Sequence, residues 1–265
     1  MGRVAGSIFI AVVLWVVAVN ASFSARLSGP QVQKLGAADS YHLVPVMANN
    51  PGQFGAFFKT RVSILNPTDF SYPVYVNLYD QGGKVGTRTI SILAHESKNY
   101  DNFLQEVFGY SGAGTVELDS WFDPPDGLPD YQFLVSAEIY TDGPNGQYKT
   151  VVASGPPADN IGSSYPAYSP GITVNASSRT NIGCFNDSGS TAQTILARLY
   201  SSAGAPIRTY SLNLPANGWS QIGISDPVTG GYIVWQPQTS CYCYAVVVDN
   251  KSNDGTFINA TKYVP

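Results

Sequence analysis

The sequence predicts an all-β protein made of two tandem antiparallel β-sandwiches. Three observations lead there. Short β-branched and aromatic segments recur at roughly ten-residue spacing, bounded by Gly, Pro, Asn and Asp. The second half of the chain repeats blocks of the first half in the same order. Of the 265 residues, 44% are apolar but only 12% are charged, with 26 Gly, 18 Pro and 17 Tyr, a balance that suits a turn-rich extracellular β protein better than a helical cytosolic one.

The first element is an export signal. Met1-Gly2-Arg3 is a short positive region, Ser7 to Val19 is a nearly unbroken apolar run, and Asn20 to Ala25 supplies small residues for cleavage after Ala21 or Ala25. This three-part layout predicts a signal peptide over 1–25. The apolar stretch from Val4 to Val19 is shorter than the roughly 20 residues a transmembrane helix needs. The expected location is therefore secreted, extracellular, periplasmic or cell-surface, with no membrane span in the mature form. The formal net charge of −4, with no basic run, excludes an electrostatic footprint for nucleic acid.

An N-terminal linker over 26–40 leads to the first copy, 41–152. A Pro- and Gly-rich linker over 153–162 leads to the second, 163–265. Lys59, Thr60, Val62 and Asn66 match Arg179, Thr180, Ile182 and Asn186 at an offset of 120. Leu78-Tyr79 matches Leu199-Tyr200, Gly112 to Leu118 matches Gly230 to Trp235, and Val135 to Tyr148 matches Cys243 to Phe257. Val44-Pro45-Val46 is echoed by Tyr165-Pro166-Ala167. The strands predicted in each copy imply an Ig-like sandwich. One helix is predicted, in Asn99 to Gly109, with Asp101 as cap, Phe103, Leu104, Val107 and Phe108 on its apolar face, and Gly109 as its stop.

The pattern Phe58, Thr60, Arg61, Val62, Asn66, then Phe108 to Gly114, with Asp249 to Asp254 closing the second copy, resembles secreted bacterial tandem β-sandwich repeat proteins. These occur as accessory modules or as free-standing exported proteins. The resemblance implies the fold and the compartment. It carries no catalytic residue with it.

His42 and His95 are the only histidines, and no G-x-S-x-G elbow accompanies them. No P-loop, dinucleotide fingerprint or H-E-x-x-H motif is present. The densest acidic stretch holds Glu117, Asp119, Trp121, Asp123, Asp126 and Asp130. Asp119, Trp121, Asp123, Asp126 and Asp130 form a candidate ligand or Ca²⁺ loop, set against a solvated Pro- and Asp-rich turn. Asn250, Ser252, Asp254, Gly255 and Thr261 follow EF-hand spacing, but position 12 is Thr instead of a bidentate carboxylate and the flanks are strands, so a β-hairpin with an Asp-Gly turn is the expected reading. Otherwise no cofactor is expected. Four glycosylation sequons follow the signal, at Asn175, Asn186, Asn250 and Asn259.

Cys241 and Cys243 point to one side of a strand, and Cys184 stands where the first copy has Ile64. The first-copy equivalents of Cys241 and Cys243 lie close to Phe133 and Val135. A disulfide from Cys184 to either is expected, against three free buried thiols or a Cys241–Cys243 bond. The functional expectation is a secreted, non-catalytic structural or interaction protein that acts through sandwich loops and edges on a protein partner, on copies of itself or on an extracellular glycan. The alternative is a carbohydrate-binding module, Ca²⁺-assisted or not, with Trp121, Trp219 and Trp235 as stacking platforms.

Overall fold

The computed structural model describes residues 39–120, 131–144, 146–155 and 160–264. The expected signal peptide and nearly all of the 26–40 linker lie outside the described residues, as do Trp121, Asp123, Asp126 and Asp130. Strands dominate the described chain. The first half supplies β1 (Tyr41–Pro51), β2 (Phe57–Leu65), β3 (Tyr72–Asp80), β4 (Gly83–Ile92), β5 (Ser97–Tyr100), the helix α1 (Phe103–Phe108), β6 (Gly112–Asp119), β7 (Leu134–Gly143) and β8 (Gly146–Val152). The second half supplies β9 (Ala167–Val174), β10 (Ser178–Asn186), β11 (Gln193–Tyr200), β12 (Pro206–Leu214), β13 (Trp219–Ile224), β14 (Val228–Gln236), β15 (Cys241–Asp249), β16 (Gly255–Asn259) and β17 (Thr261–Lys262).

All the pairings between these strands are antiparallel. In the first half the order is β4-β3-β6-β1-β2-β7-β8, with β5 on β2. In the second it is β12-β11-β14-β9-β17 and β13-β10-β15-β16. Taken strand for strand, β4-β3-β6-β1 recurs as β12-β11-β14-β9, and β5-β2-β7-β8 recurs as β13-β10-β15-β16. Besides the helix of the first half and β17 of the second, the halves differ at one seam. Asn49 to Pro51 of β1 pairs with Phe57 to Lys59 of β2, which joins the first half into one sheet.

Particular side chains recur with the strands. Asn66 and Asn186 are both fully buried. Asn66 Nδ2 donates to the Phe70 and Leu93 carbonyls at 2.7 and 2.9 Å. Asn186 Nδ2 donates to those of Thr191 and Pro215 at 2.8 and 2.7 Å. Each thereby ties two loops at one end of its half from a side chain that is itself buried. Thr60 and Thr180 donate to carbonyls of the preceding strand, at Ala48 and Thr173. Gly114 and Gly231 leave no room for a Cβ against the carbonyls of Tyr79 and Tyr200. The register also corrects one sequence match. Val44 faces Val116 and Ser169 faces Ile233, so Pro170, not Pro166, takes the place of Pro45.

The helix forms where the apolar spacing placed it, with Phe103 and Leu104 buried and Val107 and Phe108 packed against the core. Its start differs. Asn102, not Asp101, is the N-cap, because Asp101 is drawn to Arg61 at 3.0 Å. Gly109 ends it at φ 63, a left-handed geometry that Gly adopts without a Cβ penalty.

Two core clusters fill the molecule, and the second half's sheet β13-β10-β15-β16 separates them. Ile182, Cys184, Ile224, Cys241, Cys243 and Ala245 face the second-half core. Phe185, Trp219, Tyr242, Tyr244 and Phe257 face the other way and complete the first-half core. This is why Cys241 to Ala245 is buried without a break, as a strand covered on both faces must be. Its Cys-Tyr alternation puts small side chains toward one core and rings toward the other. Burying each ring contributes roughly 1.5–3 kcal/mol. The Trp219 Nε1 donates to the Tyr244 hydroxyl at 3.0 Å, which donates to Gln221 Oε1 at 3.1 Å. Gly183 is required beneath Tyr244, whose hydroxyl leaves no space for a Cβ.

Candidate functional site

Where the two halves meet, a cleft of about 210 Å³ opens. Its floor is apolar, with Val46 of β1, Phe58 of β2, Ile139 of β7, Val246 of β15 and Phe257 of β16. Asn50, Gln53, Asn181 and Gln221 place amides on its walls, and Arg179 of β10 supplies a cation. On β10 the odd-numbered residues face the first half, so Arg179 and Asn181 follow from the same alternation that points Phe185 into the shared core.

The lip of the cleft is the Pro51–Ala56 segment, closed by the Gly52 amide on the Ala56 carbonyl at 2.8 Å and the Ala56 amide on that of Gln53 at 3.2 Å. Gly52 lies flat on the Phe58 ring, with no room for a Cβ. Phe54 sits at φ 58 and ψ 31, a left-handed conformation that costs a residue with a Cβ about 1–2 kcal/mol. Its side chain is 69% exposed. The ring is held 5.6 Å from the Arg179 guanidinium. Arg179 Nη1 donates to Asn250 Oδ1 at 3.1 Å and Nη2 to Asn253 Oδ1 at 2.8 Å. Burial lowers the Arg179 pKa, and the Asp249 charge opposes that shift. The edges of the two halves come together beside the cleft. The Lys149 amide of β8 donates to Asp254 Oδ1 at 2.9 Å, and Gly255 admits Thr150 where a Cβ would collide.

A second polar group spans the same junction. Glu117 of β6 accepts from the Tyr41 hydroxyl at 3.0 Å and from the Tyr79 hydroxyl at 2.6 Å. Burial, reinforced by Glu117, pushes both phenols up. Across the junction, burial and then the Glu117 charge raise Asp187 to about 6. Both Glu117 oxygens are engaged by phenols, and Asn160 donates to Asp187. Each carboxylate is thus held within its own half, and across the junction the two repel.

Cys184 and Cys243 form a disulfide, with Cα atoms 4.2 Å apart. They face each other directly in the β10–β15 register. Cys241 is a buried free thiol 3.5 Å from the Cys243 sulfur, and burial pushes its pKa well up.

The other sequence candidates fall elsewhere. Asp119 lies on β6 opposite Tyr41 and Tyr75. The remaining residues of its proposed loop, Trp121, Asp123, Asp126 and Asp130, are outside the described residues. In the EF-hand-like stretch the Asn250 side-chain oxygen serves Arg179 and that of Asp254 serves Lys149. Asp249 Oδ1 accepts from the Lys251 and Ser252 amides. The Asp249 oxygen closes the hairpin, and those of Asn250 and Asp254 bond it to β10 and β8. His42 is buried against Phe133, its Nε2 2.8 Å from that residue's carbonyl. His95 is exposed and pairs with Asp69 at 2.8 Å. Trp219 and Trp235 are buried, so neither offers a stacking face. Tyr200 and Tyr232 stack on each other at 5.1 Å and 6°, each covering one face of the other's ring. Of the sequons, Asn186 is fully buried. Sequence reasoning missed the cleft. Its signal was Pro51 to Phe58, which the second half replaces by the short turn around Asn175 to Ser177.

No protein-family profile matches the chain. No curated protein matches it. Among solved structures, a glycosyl hydrolase family 2 member from Bacteroides cellulosilyticus aligns at 8% identity and TM-score 0.18, over 83% of this chain and 28% of that one. A Bacteroides uniformis β-glucuronidase aligns at 12% identity and TM-score 0.17, over 77% and 24%. The chain thus spans about a quarter of the length of these structures. At such scores the likeness carries no argument about fold or activity.

Proposed function

We propose that the chain is an exported, non-catalytic interaction protein, built from two Ig-like β-sandwiches of common origin, that meets its partner at the junction cleft. The repeated strand order, the paired roles of Asn66 and Asn186, and the matching glycines at 114 and 231 support a duplication. The disulfide and the N-terminal apolar run support export to an oxidising compartment. The observation that carries the functional reading is the sheet β13-β10-β15-β16, packed on both faces. It fixes the two halves against each other and so pre-organises the cleft walls, which lowers the entropic cost of binding. The cleft's amide, aliphatic and aromatic lining suits recognition more than bond-breaking.

The test is a panel of extracellular glycans, peptides and small acids against the mature chain and an Asn181→Trp variant that fills the cleft. The reading predicts binding that the variant abolishes. Turnover of any panel member would contradict it. A neutral glycan held in the cleft would make the chain a carbohydrate-binding module instead.

A further inference from the structure

We propose that the junction cleft binds a carboxylate carried on a small apolar body, with Arg179 holding the carboxylate and Phe54 closing over it. The inference rests on the cleft being the binding site. Arg179 is aimed but not neutralised. Two neutral amide oxygens, of Asn250 and Asn253, fix its guanidinium. Among the described residues it forms no ion pair, as Arg88 and Arg198 form none, whereas Arg61 and Arg208 each pair with carboxylates; what sets Arg179 apart is its place in the cleft lining. A guanidinium has five N–H donors in a planar fork that matches a carboxylate. Nη1 and Nη2 each give one N–H to an amide oxygen, which leaves the other donors of the fork for a ligand.

Phe54 is the second, independent observation. A bulky exposed ring in the left-handed region is a strained arrangement, and such strain concentrates at ligand clamps. Gly in place of Phe54 would relax the turn and remove the cover over the cation. The apolar floor fixes the rest of the ligand. At about 210 Å³ the cavity is below the roughly 300–1,000 Å³ of drug-sized pockets, so the body is small. The charge is single. Asp249 already acts on Arg179 through space and the chain is net acidic at −4, which penalises a phosphate dianion relative to a carboxylate.

Calorimetric titration with 3-phenylpropionate and 3-phenylpropionamide tests this on the mature chain. The acid is expected to bind and the amide to bind about tenfold more weakly or worse, since an amide cannot form the charge-assisted fork. Arg179→Gln should lose binding of the acid by about the same factor, and Phe54→Gly should weaken it while leaving the melting temperature equal or higher. A short peptide ending in Phe, with its terminus free or amidated, shows whether a polypeptide terminus is accepted as well as a free acid. Equal binding of acid and amide, abolished by Asn181→Trp, would overturn the carboxylate and leave the cleft as the site. Binding that Asn181→Trp does not change would overturn the site itself. No binding of either probe at millimolar concentrations would overturn the proposal.

Discussion

Cys184 on β10 and Cys243 on β15 face each other directly across the strand pair, in the places that Ile64 and Val135 take on β2 and β7 of the first half. Ile64 and Val135 make a buried aliphatic contact; the second half has a covalent one. The loop closed spans 59 residues, which by chain entropy stabilises the fold by about 4 kcal/mol. Replacing both cysteines by Ala is expected to cost up to that amount in urea unfolding. The Cys184→Ile/Cys243→Val pair should recover part of it by restoring first-half packing. Equal stability of all three forms would contradict the assignment.

Cys241 should behave differently from its neighbours. Its burial and raised pKa keep it a thiol, and thiols react as thiolates. Alkylation of the native chain should leave it unmodified, while alkylation in denaturant without reductant should label Cys241 alone. Non-reducing peptide mapping should link Cys184 to Cys243. Rapid labelling of the native chain, or a Cys241–Cys243 link, would contradict the packing.

The two buried asparagines invite a matched test. Asn66→Ala and Asn186→Ala each remove two donated bonds and strand two carbonyls, at an expected cost of about 2–4 kcal/mol apiece. Both costs should be substantial, and that of Asn186→Ala the larger, since Asn186 Oδ1 also accepts from the buried Gln193 Nε2 at 2.7 Å. Thermal melts followed by circular dichroism would show this. A loss in one half only would contradict the equivalence of their roles.

The junction acids predict a pH effect. Asp187 is raised to about 6 by burial and by Glu117. A raised carboxyl favours the protonated native state, so its stabilising contribution is present below the unfolded value near 4 and lost as pH rises through about 6. Asp187→Asn should therefore stabilise the chain at pH 7, by about 1–2 kcal/mol after solvent screening, and do little at pH 4. His42, lowered by burial, acts with the opposite sign, which is present above its unfolded pKa and lost as pH falls. The comparison must therefore be variant against wild type at each pH. A gain that is the same at both pH values would contradict the assignment.

Much of this was legible in the sequence, and the illegible part has one cause. The repeat set Cys184 against Ile64, and Cys241 and Cys243 against Phe133 and Val135, and the registers place them so. The helix followed from the spacing of Phe103, Leu104, Val107 and Phe108. What period and spacing cannot encode is which strand face meets another half of the chain. Tyr242, Tyr244 and Phe257 read as one side of an ordinary sandwich strand, yet they fill the first-half core. The same blindness made Trp219 look like a platform, whereas Trp235 fills the core of its own half. It also hid the cleft, because Phe54 and Arg179 are 125 positions apart and neither belongs to a motif.

A sheet covered on both faces should make the two halves a single cooperative body. Differential scanning calorimetry of the mature chain tests it most directly. One transition is expected, with calorimetric and van't Hoff enthalpies equal, and a lower midpoint for Tyr244→Ala. Two resolved transitions in the wild-type chain, one for each half, would contradict it.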